Sequence, residues 1–156
     1  NREEQLAKLE SLQPHLATGD ALRGQAIFTS KKTACAACHR IAGQGGAVGP
    51  DLSRIGQVRT PRDLLEAILF PSVSFARGYE SFAVATVTGH AHVGVLARET
   101  ADAIYLRSAD RSELRIARND IDEMLPSTQS IMPAGLEQTM TPAELSDLVA
   151  YLHSLK

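Results

Sequence analysis

Tryptophan is absent from this chain of 156 residues, and aromatic side chains amount to four phenylalanines and three tyrosines. A core built from this composition is short of large planar groups. Cysteine is scarce too, with only Cys35 and Cys38. A disulfide between neighbours so close would close almost no chain and stabilise little. Structural zinc needs about four protein ligands, so these two cysteines would have to recruit two histidines from distant segments. No run of about 18 apolar residues occurs, which excludes a membrane-spanning helix. Formal net charge is −2 and neither sign clusters, so the basic stripe that marks a nucleic-acid partner is missing. The chain does not open on a basic start, apolar run and cleavage site, so a secretory leader is expected to have been removed or to lie outside this sequence. The length suits one ordinary domain, or a small domain with an insertion.

What is present is concentrated in Cys35-Ala36-Ala37-Cys38-His39. Two thiols three positions apart, followed at once by an imidazole, form the attachment signature of a c-type haem. One turn of backbone lets both sulfurs reach the two vinyl groups on one porphyrin edge, while His39 rises beneath the iron as proximal ligand. A thioredoxin-like dithiol would share the Cys-x-x-Cys spacing but calls for a strand before it and a long helix after it. Here the loop-like Arg40-Ile41-Ala42-Gly43-Gln44-Gly45-Gly46 follows. A covalently held haem also supplies the planar bulk that the aromatic side chains do not. With both cysteines committed to it, no disulfide is left to report on redox compartment.

Helical signals flank this motif. Residues 1–19 begin with a charged, helix-favouring stretch in which Leu6, Leu9 and Leu12 make a narrow apolar stripe; they are expected to form an N-terminal extension or linker. Asp20 can cap a helix through Phe28, with Leu22, Ile27 and Phe28 offering apolar contacts. Gly24 inside it costs about 1 kcal/mol relative to alanine, which close approach of another helix would explain. Thr60-Pro61-Arg62-Asp63 starts a helix whose apolar face is Leu64, Leu65, Ile68 and Leu69 and which Pro71 ends. Thr141 and Glu144 form a capping box for a last helix lined by Leu145, Leu148, Val149 and Leu152. Between these helices the period drops from about 3.6 to 2. Phe82–Val87, His90–Leu96, Ala103–Leu106 and Leu114–Ile116 predict an antiparallel sheet or small barrel of about four or five strands. The expected organisation is a helical haem domain over residues 20–77 and 126–156, interrupted by a β insertion over residues 78–125. An unpaired edge strand there offers a route to dimers.

Met132, in Ser130-Ile131-Met132-Pro133-Ala134-Gly135-Leu136, is the candidate second axial ligand. A proline- and glycine-bearing loop can hold a thioether over the iron, and this soft neutral ligand favours ferrous iron and raises the reduction potential. Met124 and Met140 compete with it; methionine elsewhere is commonly core filler. His90 and His92, alternate residues on a strand, point to one face and could bind a metal or cap the haem, although solvent-facing strand residues look the same. His15 and His153 are expected at the surface. The Pro50 carbonyl, in Gly49-Pro50-Asp51-Leu52, can accept the Nδ1 proton of His39 and fix the ring. Arg54, ahead of Arg40 and Arg59, is the first candidate for pairing a haem propionate, because its planar fork matches a carboxylate.

Taken together, the helix with Gly24 and Phe28, Cys-Ala-Ala-Cys-His, Gly-Pro-Asp-Leu, Met-Pro and the terminal helix with Leu148 and Tyr151 resemble class I cytochrome c. The resemblance covers about residues 20–70 and 127–156. It implies a mainly α class I fold with the small antiparallel sheet inserted between the proximal-His and distal-Met segments, and crossing of the first and last haem-domain helices where Gly24 and Phe28 meet Leu148 and Tyr151. More narrowly, Gly49–Gly56, the Leu64–Leu69 helix, the strand insertion and the Met132 loop resemble the haem-binding domain common in planctomycetes and verrucomicrobia. Members of that group are often fused behind dehydrogenase-like propellers or helical repeats, so the first nineteen residues would be a linker from an upstream module. A plain class I cytochrome has mostly helix and loop where this chain has strands. The resemblance implies covalently attached haem c ligated by His39 and Met132, and an electron carrier rather than an enzyme. Its expected partners are redox proteins, a dehydrogenase donor and a cytochrome or oxidase acceptor, in a periplasmic or other extracytoplasmic setting. The competing reading is a haem enzyme or a gas- or peroxide-binding sensor with an open or labile distal site.

Overall fold

The computed structural model describes every residue from Asn1 to Lys156. Five helices come first to view: α1 (Arg2–Leu12), α2 (Ala21–Thr29), α3 (Cys35–Cys38), α4 (Pro61–Leu69) and α5 (Pro142–Ser154). Their starts follow from local chemistry. The Asp20 carboxylate accepts the Arg23 N–H at 2.8 Å, and Thr60 with Asp63 and Thr141 with Glu144 close reciprocal capping boxes with proline in the first turn, satisfying N–H groups a helix leaves unpaired.

Leu64, Leu65, Ile68 and Leu69 of α4 and Leu145, Leu148, Val149 and Leu152 of α5 form one buried cluster with Phe28 and Leu9. Burying a leucine such as Leu65, which is fully enclosed, contributes about 2 kcal/mol. Helices α2 and α5 cross in contact at Gly24, where a Cβ would lie 1.9 Å from the Asp147 carbonyl oxygen. Glycine is required there by the neighbouring backbone. Phe28 and Tyr151 meet at the same crossing with ring centroids 5.8 Å apart and planes tilted by 60°, a favourable aromatic geometry. The crossing expected from the sequence is therefore present. Leu22, expected to contribute contacts, is instead 78% exposed, because the buried face of α2 is the one carrying Gly24 and Phe28.

Residues 1–19 pack more closely than a linker does. Leu9 is fully enclosed within the main cluster, Arg2 pairs with Glu66 of α4 at 2.7 Å, and Lys8 pairs with Glu137. The leucine stripe on α1 is narrow, yet one leucine on it reaches the core.

The strands form two sheets. β1 (Arg40–Ile41) and β2 (Gln44–Gly45) make a minimal hairpin where the sequence suggested only loop. The larger sheet holds β3 (Ser81–Thr86), β4 (Ala91–Glu99), β5 (Ala103–Arg107), β6 (Glu113–Ala117) and β7 (Ile121–Pro126) in the order β6-β5-β4-β3-β7, all antiparallel. It is an open sheet with β6 and β7 at its edges. Gly89, at φ +85°, turns β3 into β4, a left-handed conformation that glycine adopts without steric cost. Val84, Ile104, Leu106 and Ile116 give this sheet a core of its own, with Leu96, Ile121 and Met124 against it. The sequence offers no signal for β7, because in Ile121-Asp122-Glu123-Met124-Leu125 two charges and two apolar residues stand side by side rather than alternating.

Candidate functional site

Helix α3 is a single turn that carries both cysteines and ends on His39, whose φ of −112° and ψ of 135° turn the chain out of the helix. Ala34 precedes it in the left-handed region, at φ 55°, so the thiols start from a sharp change of chain direction. Buried Thr33 anchors that corner, its hydroxyl donating to the Ile27 carbonyl of α2 at 2.5 Å. Cys35 and Ala36 pack against the main helical core. Burial pushes the Cys35 and Cys38 thiols up, even though Arg111, in the turn between β5 and β6, opposes the shift at Cys38. A redox dithiol or thiolate centre relies on the reverse, an environment that lowers the thiol pKa.

The His39 ring is fixed from two sides. Its Nδ1 is 2.8 Å from the Pro50 carbonyl oxygen. A carbonyl can only accept, so Nδ1 carries the proton and Nε2 keeps its lone pair. Gly49 lies flat against the ring, where a Cβ would come within 2.6 Å of Cε1. Burial pushes the imidazole pKa down, with the Pro50 hydrogen bond opposing, so the ring is neutral, the form that binds a metal. The loop that supplies these contacts is itself held: Gly46 N–H donates to the Ala36 carbonyl at 3.0 Å, Gly49 N–H to Cys38 at 2.8 Å and Leu52 N–H to Arg40 at 2.9 Å. Gly46 has no room for a side chain, since a Cβ would be 1.9 Å from the Ala37 oxygen.

Met132 is half-buried against the same helical cluster as Cys35 and Ala36. Its loop is pinned by the Ser130 N–H donating to Ser72 Oγ at 2.9 Å and the Met132 N–H donating to Ser130 Oγ at 3.1 Å. Met140 also packs on that cluster, whereas Met124 pairs opposite Val84 in the sheet and packs into the sheet's core. Arg54 is exposed ahead of a short 3-10 turn, and Arg40 reaches the Gly45 carbonyl at 3.5 Å. His90 and His92 stack with ring centroids 6.4 Å apart, and Thr88 Oγ1 is 3.0 Å from His90 Nδ1. No group of three or more His, Cys, Asp or Glu is gathered to hold a metal ion, there or elsewhere. His15 is exposed and His153 half-buried.

Sequence reasoning missed the residues by which the large sheet touches this site. Arg107 Nη1 donates to the Ala47 carbonyl at 3.1 Å, and Ser81 Oγ donates to Gln129 O at 2.6 Å. An arginine and a serine on alternating strands carry no signal of such a role; strand register alone brings them here.

Two thiols, a neutral imidazole with a free Nε2 and a glycine-lined loop against the ring make a donor set and a cradle suited to covalent haem. A comparison with curated proteins finds no match. Residues 21–80 match the family model for cytochrome c, so the segment holding Cys35, Cys38 and His39 is a cytochrome c domain, its cofactor covalently attached haem c, with helices around it and a five-stranded antiparallel sheet following it.

Proposed function

We propose that this chain carries single electrons through a haem ligated by His39 and Met132. The carrying observation is His39: a half-buried neutral imidazole, oriented by the Pro50 carbonyl at 2.8 Å, directly after the two attachment cysteines. The bound haem supplies a one-electron ferric/ferrous couple, and the potential of that couple is set by axial ligands, hydrogen bonding and burial. Among these levers, Pro50 makes His39 more basic toward iron by accepting its Nδ1 proton. Met132 would supply the soft second ligand from its pinned loop, which favours the ferrous state. Arg54, exposed and without an ion-pair partner, would pair with a propionate.

In this reading residues 20–77 and 126–156 are the haem domain, residues 78–125 an insertion and residues 1–19 an extension docked on it. The work is extracytoplasmic, electrons arriving from a dehydrogenase and leaving to a cytochrome or oxidase. The narrower likeness to the planctomycete-type haem-binding domain supports a place beside a dehydrogenase module.

Visible and near-infrared spectra of the ferric and ferrous protein test this. Low-spin haem with the weak sulfur-to-iron charge-transfer band, and loss of that band in Met132→Ala, are expected. A high-spin ferric spectrum with rapid carbon monoxide binding to the ferrous protein would overturn the reading in favour of an open site for small ligands.

A further inference from the structure

We propose that the five-stranded sheet is a strut that sets the Met132 loop relative to the His39 loop, with Ser81 and Arg107 as its two points of attachment. The inference rests on Met132 being the second ligand.

In the strand register Ser81 of β3 lies opposite Val95 of β4, and Val95 lies opposite Arg107 of β5. Directly opposed residues point to the same face of a sheet, so the three side chains stand in one transverse row. Adjacent strands are about 4.8 Å apart, which puts the ends of the row about 10 Å from each other. One end holds the methionine side. Ser81, buried, donates its hydroxyl to the Gln129 carbonyl at 2.6 Å, and its own carbonyl accepts the Ser127 N–H at 2.8 Å. Three residues beyond Gln129 comes Met132. The other end holds the histidine side. Arg107 Nη1 donates to the Ala47 carbonyl at 3.1 Å, two residues before Gly49, which lies on the His39 ring. The guanidinium is aimed by the next residue in the row, Glu113 of β6, which accepts from Arg107 Nε at 3.2 Å. Val95, between the two ends, is buried.

One stiff row thus grips a main-chain carbonyl in each ligand-bearing loop. The sheet has its own hydrophobic core, so its folding does not depend on these two bonds, and they are free to serve position. Ser81 and Arg107 are positioning residues. Removing either frees its loop to move against the other, which weakens the iron–thioether bond first in the ferric state, where a soft ligand binds less well.

The test uses ferric holoprotein of Ser81→Ala, Arg107→Ala and Arg107→Lys, with Arg115→Ala, whose guanidinium pairs with Asp102, as a control on the same sheet. Two readouts are taken: the charge-transfer band during heating beside far-ultraviolet unfolding, and the affinity for added imidazole, which must displace Met132. In Ser81→Ala and Arg107→Ala the band is expected to vanish before global unfolding, and imidazole to bind about five- to tenfold more tightly, the scale of one lost hydrogen bond. Arg107→Lys, which keeps a donor, should recover part of both. If Ser81→Ala does not accumulate, Arg107, whose side chain is 35% exposed, carries the test alone. Band loss coincident with global unfolding, together with unchanged imidazole affinity, would overturn the strut. A parent protein without the band would instead remove the Met132 ligation on which the strut rests, so the two failures are told apart.

Discussion

Gly49 and His39 touch so closely that a Cβ on the glycine would sit 2.6 Å from Cε1 and 2.9 Å from Nδ1 of the ring. The ring cannot retreat without giving up the hydrogen bond from Nδ1 to Pro50. Gly49→Ala is therefore expected to tilt the imidazole, lengthen or break that bond and weaken His39 in its proposed role as iron ligand. The ferric spectrum should gain high-spin character. Unchanged spectrum and reduction potential would show that the ring is not held by this contact.

Gly24 makes a harder contact, because what faces it is backbone. With the Asp147 carbonyl oxygen 1.9 Å from where a Cβ would be, Gly24→Ala forces α2 and α5 apart and disturbs the Phe28–Tyr151 contact. The better helix propensity of alanine gains only about 1 kcal/mol, and overpacking of this kind costs about 3 kcal/mol. Net destabilisation in urea or guanidinium unfolding is the expected result; a more stable variant would mean that the crossing yields without cost.

Asp147 makes stability depend on acid. Its carboxylate accepts from Arg23 Nε at 3.0 Å and from the Asp20 N–H at 2.8 Å, and the bond from Arg23 holds it below the ordinary value of 3.8. A folded pKa below the unfolded one means the folded state binds the proton less tightly. This stabilisation is full above about pH 4 and is lost as pH falls through the lowered value. Thermal unfolding followed from pH 6 to pH 2 should show a fall that is shallower in Asp147→Asn, which has no charge to lose. Parallel curves would exclude Asp147 as a source of the acid sensitivity.

Leu9 tests whether α1 is part of the folded unit. It is fully enclosed among Leu65 and the other core residues, so Leu9→Ala should cost about 2–5 kcal/mol. Leu6→Ala, nearer the surface on the same helix, should cost less. Equal small effects in denaturant unfolding would mean that the helix docks only loosely.

The parts of the site that were legible are those whose chemistry is local. Cys35, Cys38 and His39 declare themselves because attachment needs a fixed spacing within one turn, and Asp20, Thr60 and Thr141 because a cap and its helix are neighbours in sequence. The contact of Pro50 with His39 was within reach because they lie only eleven positions apart and a histidine bound to metal needs an acceptor for its other nitrogen. Ser81, Arg107 and Arg111 gave no such sign. Leu9 was visible as part of a stripe, but not as a core residue, since one leucine per turn does not say what it will meet. Leu22 misled for the same reason: apolar character on a short helix does not choose the buried face.

By itself, then, the sequence determined the cofactor chemistry, the capped helix starts and four of the five strands of the larger sheet, all of which depend on interactions within a few residues. Only the tertiary structure decided that α1 joins the core, that Gly24 is required by the backbone of Asp147, and that Ser81 and Arg107 reach the loop before Met132 and the loop against His39 from one row of a sheet. Those relations depend on strand register and helix crossing, which arise when distant segments exclude water from each other, and no short window of residues encodes where that closure brings them.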